Sequence, residues 1–177
     1  MVDSILDVKN LSGGYDDLLV VRDISLEIHS GQAISITGRN GVGKSTLLKL
    51  IFGNLKPYQG EVNFLNSNLE KIASHKRLDL GISYAPQENI VFDNLTLEEN
   101  LTLHYEESNL KHYQSLFEKF PRLRERLDQK AGTLSGGEKK LLSFSRVLAE
   151  PSKLILLDEP TEGVQSDNIE LMAQIIR

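Results

Sequence analysis

The chain has 177 residues, a formal net charge of −5 and no cysteine. The acidic balance argues against sequence-independent binding of nucleic acid, which depends on Lys and Arg side chains that neutralise phosphates. Without cysteine, disulfides and thiolate metal sites are excluded. No apolar run approaches the ~20 residues of a membrane span, and the start of the chain is unlike a signal segment, so we expect a cytoplasmic protein.

The first part of the chain predicts short strands around a glycine-rich turn. Alternation of apolar and polar residues over 24–28 is typical of a half-buried strand. A second strand is predicted over 33–37, and it leads directly into Gly38. The apolar stripe over 47–51 predicts a helix that stops at Gly53, a residue suited to a helix C-terminus.

Further strands are predicted at 61–65, 82–85 and 154–157. The last of these is an unbroken aliphatic run, as expected for a parallel strand covered on both faces. Residues 95–126 have a helical pattern divided by Pro121, and they belong to a predicted helical subdomain of about 88–148. Pairs of a capping residue and a glutamate three positions later predict helix starts: Thr96 with Glu99, Ser135 with Glu138, and Asp167 with Glu170.

Residues 38–46 match the phosphate-loop pattern G-x-x-x-x-G-K-[ST]. Glycines let the backbone N–H groups turn towards phosphate oxygens, and the following helix adds its positive N-terminal dipole. Lys44 can reach the β- and γ-phosphates, and the Ser45 hydroxyl can ligate Mg²⁺. The predicted nucleotide-binding residues of the loop are Gly38, Asn40, Gly41, Gly43, Lys44, Ser45 and Thr46.

Two carboxylates follow the aliphatic strand at 154–157. Asp158 suits the acidic position that holds Mg²⁺ directly or through water. Glu159 is placed to polarise the attacking water as a general base. A strand that ends in an acidic turn is the alternative, and the phosphate loop upstream makes it the weaker one.

With the stretch Leu134-Ser135-Gly136-Gly137-Glu138 the chain resembles the nucleotide-binding domain of ATP-binding-cassette (ABC) proteins. The usual signature of that family ends in Gln, where this chain has Glu138. The resemblance implies a head-to-tail dimer in which Ser135 and Gly137 of one subunit complete the ATP site of the other. An ordinary capped helix is the alternative for this stretch considered alone.

The resemblance also implies a fold and two further site residues. The fold is an α/β P-loop NTPase core with a mostly parallel sheet, an N-terminal antiparallel β subdomain and a helical subdomain. Tyr15 stands where the family stacks an aromatic ring on adenine. Gln87 resembles the glutamine that contacts Mg²⁺ and water and couples to the membrane partner.

Three segments resemble the ATPases of branched-chain amino acid and urea uptake systems: 120–126, 131–133 and 161–165. Export ATPases with a glutamate-ended signature remain an alternative. Most of the family carries Asp where Gln165 or Ser166 stands, which puts the usual contact across the dimer in doubt. Lys139 and Lys140 replace amides, and we interpret them as charges that solvate the outer helix face.

The family fold continues with a strand that ends in a histidine contacting the γ-phosphate, and no such strand follows residue 158 here. The chain's histidines are better read as surface or loop residues: His29, His75, His104 and His112. We expect a fragment of a longer protein that hydrolyses ATP poorly alone, the alternative being a naturally short variant.

The leading hypothesis is the ATPase subunit of a membrane transporter, paired with an identical or different ATPase and docked on separate membrane-spanning chains at the inner face of the membrane. The alternatives are a soluble ABC ATPase of DNA repair or translation and a regulatory nucleotide-binding module. ATP and Mg²⁺ are the expected cofactors both for the transporter subunit and for a soluble ABC ATPase.

Overall fold

The computed structural model describes residues 4–88, 90–103, 105 and 109–176. These residues form two compact units. The first comprises the described residues up to 84 together with 152–158, and the second comprises 85–151 with those from 159 onward. The phosphate loop and Asp158 therefore belong to the first unit, and Gln87, the signature and Glu159 belong to the second.

The first unit contains an antiparallel sheet in the order β2-β1-β3-β4, formed by β1 (Ser4–Tyr15), β2 (Leu18–His29), β3 (Gln59–Phe64) and β4 (Ser67–Asn68). The strands predicted at 24–28 and 61–65 both belong to this sheet and are confirmed. Exposure alternates along residues 24–28 of β2 as the sequence pattern requires. The strand predicted to run to Leu65 ends at Phe64, because Leu65 has φ 48 and turns the chain into β4.

The prediction of a strand at 33–37 is wrong. These residues have no regular secondary structure and are exposed, including Ile34 and Ile36. Among the described residues no strand is hydrogen-bonded to this segment. Because a strand is stable only when its N–H and C=O groups are paired, the apolar pattern by itself does not produce one.

The helix after the phosphate loop, α1 (Lys44–Phe52), packs its apolar side into the core of the first unit. It ends where predicted, with Gly53 at φ 86 and its N–H donating to the carbonyls of the last turn. A short helix, α2 (Ser74–Asp79), follows. Its Arg77 is buried and donates to the carbonyl oxygens of Ile51, Leu69 and Ile72 at 2.7, 2.7 and 3.0 Å.

Two short strands, β5 (Ile82–Ala85) and β6 (Leu154–Leu157), pair with each other at the positions predicted. The N–H groups of Lys153 and Leu154 donate to the carbonyl of Gly81, so the two strands start side by side and run parallel. Residues of β6 alternate between buried and half-buried. Asp158 follows directly after the last residue of β6.

The second unit is mainly helical, with α3 (Leu97–Thr102), α4 (Gln114–Lys119), α5 (Pro121–Glu125), α6 (Gly136–Ala149), α7 (Ser166–Ile176) and 3₁₀ turns at Leu110–Tyr113 and Ala131–Thr133. It includes most of the predicted helical subdomain of about 88–148, whose status as a separate subdomain stays a prediction. Pro121 occupies the first position of α5, where its missing N–H costs nothing. No described helix has the length and apolarity needed to cross a bilayer.

Two of the predicted helix starts are confirmed with complete capping boxes, and the third, with Asp167 as the capping residue, is wrong by one residue because Asp167 lies inside the first turn. Thr96 and Glu99 exchange hydrogen bonds of 3.1 and 2.7 Å at the start of α3. Ser135 and Glu138 do the same at α6, with distances of 3.3 and 2.9 Å. The last helix begins at Ser166, one residue before Asp167.

Candidate nucleotide-binding site

The phosphate loop leads from the unpaired segment 33–37 into α1. Gly41 and Gly43 have φ values of 81 and 105, which side chains other than glycine adopt only with strain. Lys44 lies across the loop, and its ammonium donates to the carbonyl oxygens of Gly38 and Arg39 at 3.2 Å each. The loop therefore holds a cation at the N-terminus of a helix, the combination that attracts a polyphosphate.

The Ser45 hydroxyl donates a hydrogen bond of 2.9 Å to the Asp158 Oδ1 atom. Asp158 is only 2% exposed, and the Tyr84 hydroxyl donates to its second oxygen at 3.3 Å. Two motifs that stand 113 positions apart in the sequence are thus joined in the first unit. No feature of the sequence singles out Tyr84, which adds a donor to this pair.

The oxygens of Ser45 and Asp158 fit a small hard cation. Mg²⁺ prefers oxygen ligands, and in nucleotide sites it takes one or two from the protein and the rest from phosphates and water. Among the described residues, no group of three or more His, Cys, Asp or Glu side chains could hold a metal by itself.

Gln87 and Glu159 are brought together in the second unit. The Gln87 side-chain amide donates to Glu159 Oε2 and to Glu162 Oε2, both at 3.2 Å. Glu159 has φ 46, an unusual backbone conformation for a residue with a side chain and one often found at functional sites. Sequence reasoning missed Glu162, which had been read only as part of a segment typical of one branch of the family.

The signature begins α6 and is tightly packed. A Cβ atom built on Gly137 would lie 2.5 Å from the carbonyl oxygen of Gly163, so only glycine fits there without a shift. Glu138 accepts a hydrogen bond of 2.6 Å from Arg126 Nη1. Its pKa is lowered chiefly by the Ser135 N–H, then by the Ser135 hydroxyl and Arg126.

A cavity of about 930 Å³ in the second unit adjoins this stretch. Its lining includes the signature residues 134–138, Gln87 and Glu162, together with four basic residues: Lys119, Arg122, Arg126 and Lys140. Gln165 also lines it. In the cavity beside Ser135 and Gly137, basic side chains thus outnumber the two carboxylates, Glu138 and Glu162, and this excess of positive charge suits an anionic ligand.

The remaining predicted site residue, Tyr15, ends β1 with 41% of its surface exposed. An exposed ring leaves a face available for stacking. The histidines differ in setting: His29 is half-buried in β2, His75 is exposed, and His112 is exposed and stacks on Tyr105. His104 and Arg177 lie outside the described residues.

The interpretation of Lys140 as a solvated surface charge is wrong. Lys140 is 4% exposed, and its ammonium donates to the carbonyl oxygen of Gln87 at 2.6 Å. Its position offered a signal, because it stands four residues before Phe144 and seven before Val147, the spacing of one helical face. Lys139 is less enclosed and forms an ion pair of 2.7 Å with Asp93.

A glycine-rich loop at a helix N-terminus, bonded to an aspartate at the end of a buried strand, defines the class: this is a P-loop nucleoside triphosphatase of the α/β type. The particular family follows from comparison with known proteins. The family model described as "ABC transporter" matches residues 21–162, and the chain belongs to that family.

Two named relatives support the assignment to this family. The chain is 38% identical to the probable branched-chain amino acid transport ATP-binding protein LivF of Archaeoglobus fulgidus, over 95% of this chain and 73% of that protein. It is 34% identical to the lipopolysaccharide export ATP-binding protein LptB of Haemophilus influenzae, over 98% of this chain and 74% of that one.

A solved structure of the ATP-binding subunit of an ABC transporter superposes with a TM-score of 0.83 at 28% identity, covering 97% of this chain and 73% of that chain. The chain thus spans about three quarters of the length of these proteins. It is an ATP-binding, ATP-hydrolysing subunit of the ABC transporter type, and the predicted fold class is confirmed.

Proposed function

We propose that this ATPase binds MgATP in the phosphate loop, with Ser45 and Asp158 as the protein ligands of Mg²⁺. The observation that carries the proposal is the 2.9 Å hydrogen bond between these two side chains. It places a hydroxyl and a buried carboxylate side by side, next to the lysine that faces the phosphates. Tyr15, exposed at the end of β1, stacks on the adenine.

Hydrolysis depends on Glu159 as the general base and on Gln87 as the residue that orients water and Mg²⁺. The hydrogen bond between them supports this pairing, since a general base needs a neighbour that fixes its orientation. Lys44 stabilises the charge that develops on the transferred phosphate. Glu162 shares the amide of Gln87 and so contributes to the same arrangement.

The active form is a head-to-tail dimer with an identical or a different ATPase subunit. One chain needs a single loop to hold one triphosphate, and the signature offers a second helix N-terminus beside basic side chains. Ser135 and Gly137 then complete the site of the nucleotide that the partner holds. Hydrolysis cycles this dimer between closed and open forms.

The subunit docks on separate membrane-spanning chains at the inner face of the cell membrane and drives transport of a small solute. Branched-chain amino acids or urea are the proposed solutes, because the segments 120–126 and 161–165 resemble that branch and a LivF protein is among the relatives. Relatedness to a lipopolysaccharide export protein favours export as the second candidate. Purification of the tagged chain from membranes and identification of attached proteins distinguishes the two.

Dimer formation tests the proposed site in one experiment. Glu159→Gln removes the base while keeping the side-chain shape, so we expect ATP to remain bound and to hold two chains together. Light scattering with chromatography measures the mass with MgATP, with ADP and with ATP plus EDTA. Glu118→Gln, on an exposed glutamate of α4, is the matched control.

The expected result is a doubled mass for Glu159→Gln in MgATP only, returning to the single mass in EDTA. Adding Ser45→Ala to this variant should abolish the dimer, because the Mg²⁺ ligand is then lost. A Glu159→Gln variant that stays monomeric at saturating MgATP contradicts the catalytic and dimer assignments. A dimer that persists in EDTA contradicts the role given to Ser45.

A further inference from the structure

Three cationic side chains of α6 hold the segment that follows Gln87. Lys140 Nζ donates to the Gln87 carbonyl at 2.6 Å, and Arg146 Nη1 donates to the Ile90 carbonyl at 2.9 Å. Lys139 forms the 2.7 Å ion pair with Asp93. The helix that starts at the signature therefore fixes the loop of Gln87 at three successive points.

Lys140 differs from its neighbour Lys139 in burial. Lys139 retains 21% of its side-chain surface, and Asp93 retains 60%, so water screens their attraction. Lys140 is 4% exposed and ends on the backbone oxygen of the residue whose side chain contacts Glu159. A buried ammonium is costly unless it is well paired, and the hydrogen bond to the Gln87 carbonyl contributes to this pairing.

The contact constrains the Gln87 side chain. The hydrogen bond from Lys140 holds the Gln87 carbonyl and so opposes rotation of that peptide group. The side-chain amide of Gln87, which has two donor hydrogens, is then directed at the two carboxylate oxygens of Glu159 and Glu162, 3.2 Å away in each case.

We propose that Lys140 is a positioning residue for Gln87. It acts through the Gln87 backbone and sets the geometry between the Gln87 amide and Glu159. The inference rests on the role proposed above for Gln87 in hydrolysis. Arg146 and Lys139 anchor later points of the same segment and do not contact Gln87 in the described structure.

The side-chain amide of Gln87 reports directly on this geometry in an NMR spectrum of the ¹⁵N-labelled chain. Gln87→Ala identifies its pair of NH₂ signals by their disappearance. In Lys140→Met these signals should move towards the position of unbonded glutamine amides, while Lys139→Met leaves them in place. Lys140→Arg, which keeps a cationic donor, should retain the wild-type shifts.

Unchanged Gln87 signals in Lys140→Met overturn the proposal, as do equal changes in Lys139→Met. If Lys140→Met does not fold, Lys140→Ala takes its place, because it also removes the donor to the Gln87 carbonyl and adds no long side chain that must be repacked. The same outcomes then apply to that variant. This measurement does not require turnover, so it decides the positioning claim independently of the catalytic role.

ATP turnover measures how much the contact between Lys140 and Gln87 contributes to hydrolysis. We expect Lys140→Met to lower kcat by ~10-fold with KM for ATP unchanged, since nucleotide binding involves other residues. Combined with Gln87→Ala, Lys140→Met should lower kcat no further, because residues that act as a unit are not additive. Full additivity overturns the inference alone, whereas a Gln87→Ala variant with normal kcat overturns the proposed function of Gln87.

Discussion

Replacing Arg126 by methionine tests how this chain tolerates a carboxylate at the end of its signature. Arg126 is the cation that contacts Glu138, at 2.6 Å. Glu138 also closes the capping box of α6 by accepting from the Ser135 N–H at 2.9 Å. The variant leaves the carboxylate without its cation while the cap is retained, so the cost isolates the ion pair.

The magnitude follows from geometry and exposure. A charge-assisted hydrogen bond of this length contributes ~1.5–3 kcal/mol when it is shielded from water. Here the side chains of Arg126 and Glu138 are 38% and 34% exposed, so solvent screens the pair and its value falls towards that of a surface ion pair. We expect a coupling free energy of about 1 kcal/mol.

Urea unfolding of four proteins measures this coupling: wild type, Arg126→Met, Glu138→Gln and the double variant. Arg124→Met, on the exposed side of α5, is the control for removing a positive charge two residues before Arg126. A coupling indistinguishable from zero refutes the role of Arg126. A loss of equal size in Arg124→Met refutes it as well, because the effect then reflects net charge.

The pH dependence of the same unfolding free energy has a defined sign. The pKa of Glu138 is lowered in the folded chain, first by the Ser135 N–H and then by Arg126. Its contribution to stability is therefore fully present above the ordinary glutamate value of about 4.3 and is lost as the pH falls through the folded pKa. Between pH ~5 and ~3, stability should fall more steeply in wild type than in Glu138→Gln; parallel curves contradict this.

Two further predictions concern packing, and urea unfolding measures both. Arg77→Met should cost ~2–4 kcal/mol, because three backbone carbonyls lose their donor, and two of these hydrogen bonds are buried. Arg77→Lys should not recover this loss, since an ammonium lacks the planar fork that reaches all three carbonyls. Gly137→Ala should cost ~1–3 kcal/mol through its clash with the Gly163 carbonyl, whereas Gly136→Ala, whose Cβ meets nothing within 4 Å, should cost little; equal costs for the two contradict the prediction.

Features governed by local interactions were predictable from the sequence. The capping boxes at Thr96 and Ser135 form because their partners are three residues away on the same turn. The end of α1 at Gly53 likewise requires only a residue that adopts a positive φ. The phosphate loop also belongs here, since its glycine conformations and the helix that follows are set within a few residues.

Features that depend on distant partners were not predictable from the sequence. Ile34 and Ile36 belong to a pattern that is typical of a strand, yet among the described residues no strand is hydrogen-bonded to their segment. Tyr84 reaches Asp158 from a strand whose pattern shows only burial. Arg77 reads as an ordinary basic residue of a short helix, because its three acceptors are scattered over the chain.

The departures of this chain from the family's usual residues have partners of their own. Glu138 replaces an amide and is paired with Arg126, while Lys140 replaces another and is paired with the Gln87 carbonyl. In both cases a neutral hydrogen-bonding side chain has become a charged one, and burial or partial burial makes the unpaired charge costly. Each substitution is therefore tied to its local partner. Restoring glutamine at either position should be tolerated, whereas removing Arg126 while Glu138 remains should lower the free energy of unfolding by about 1 kcal/mol.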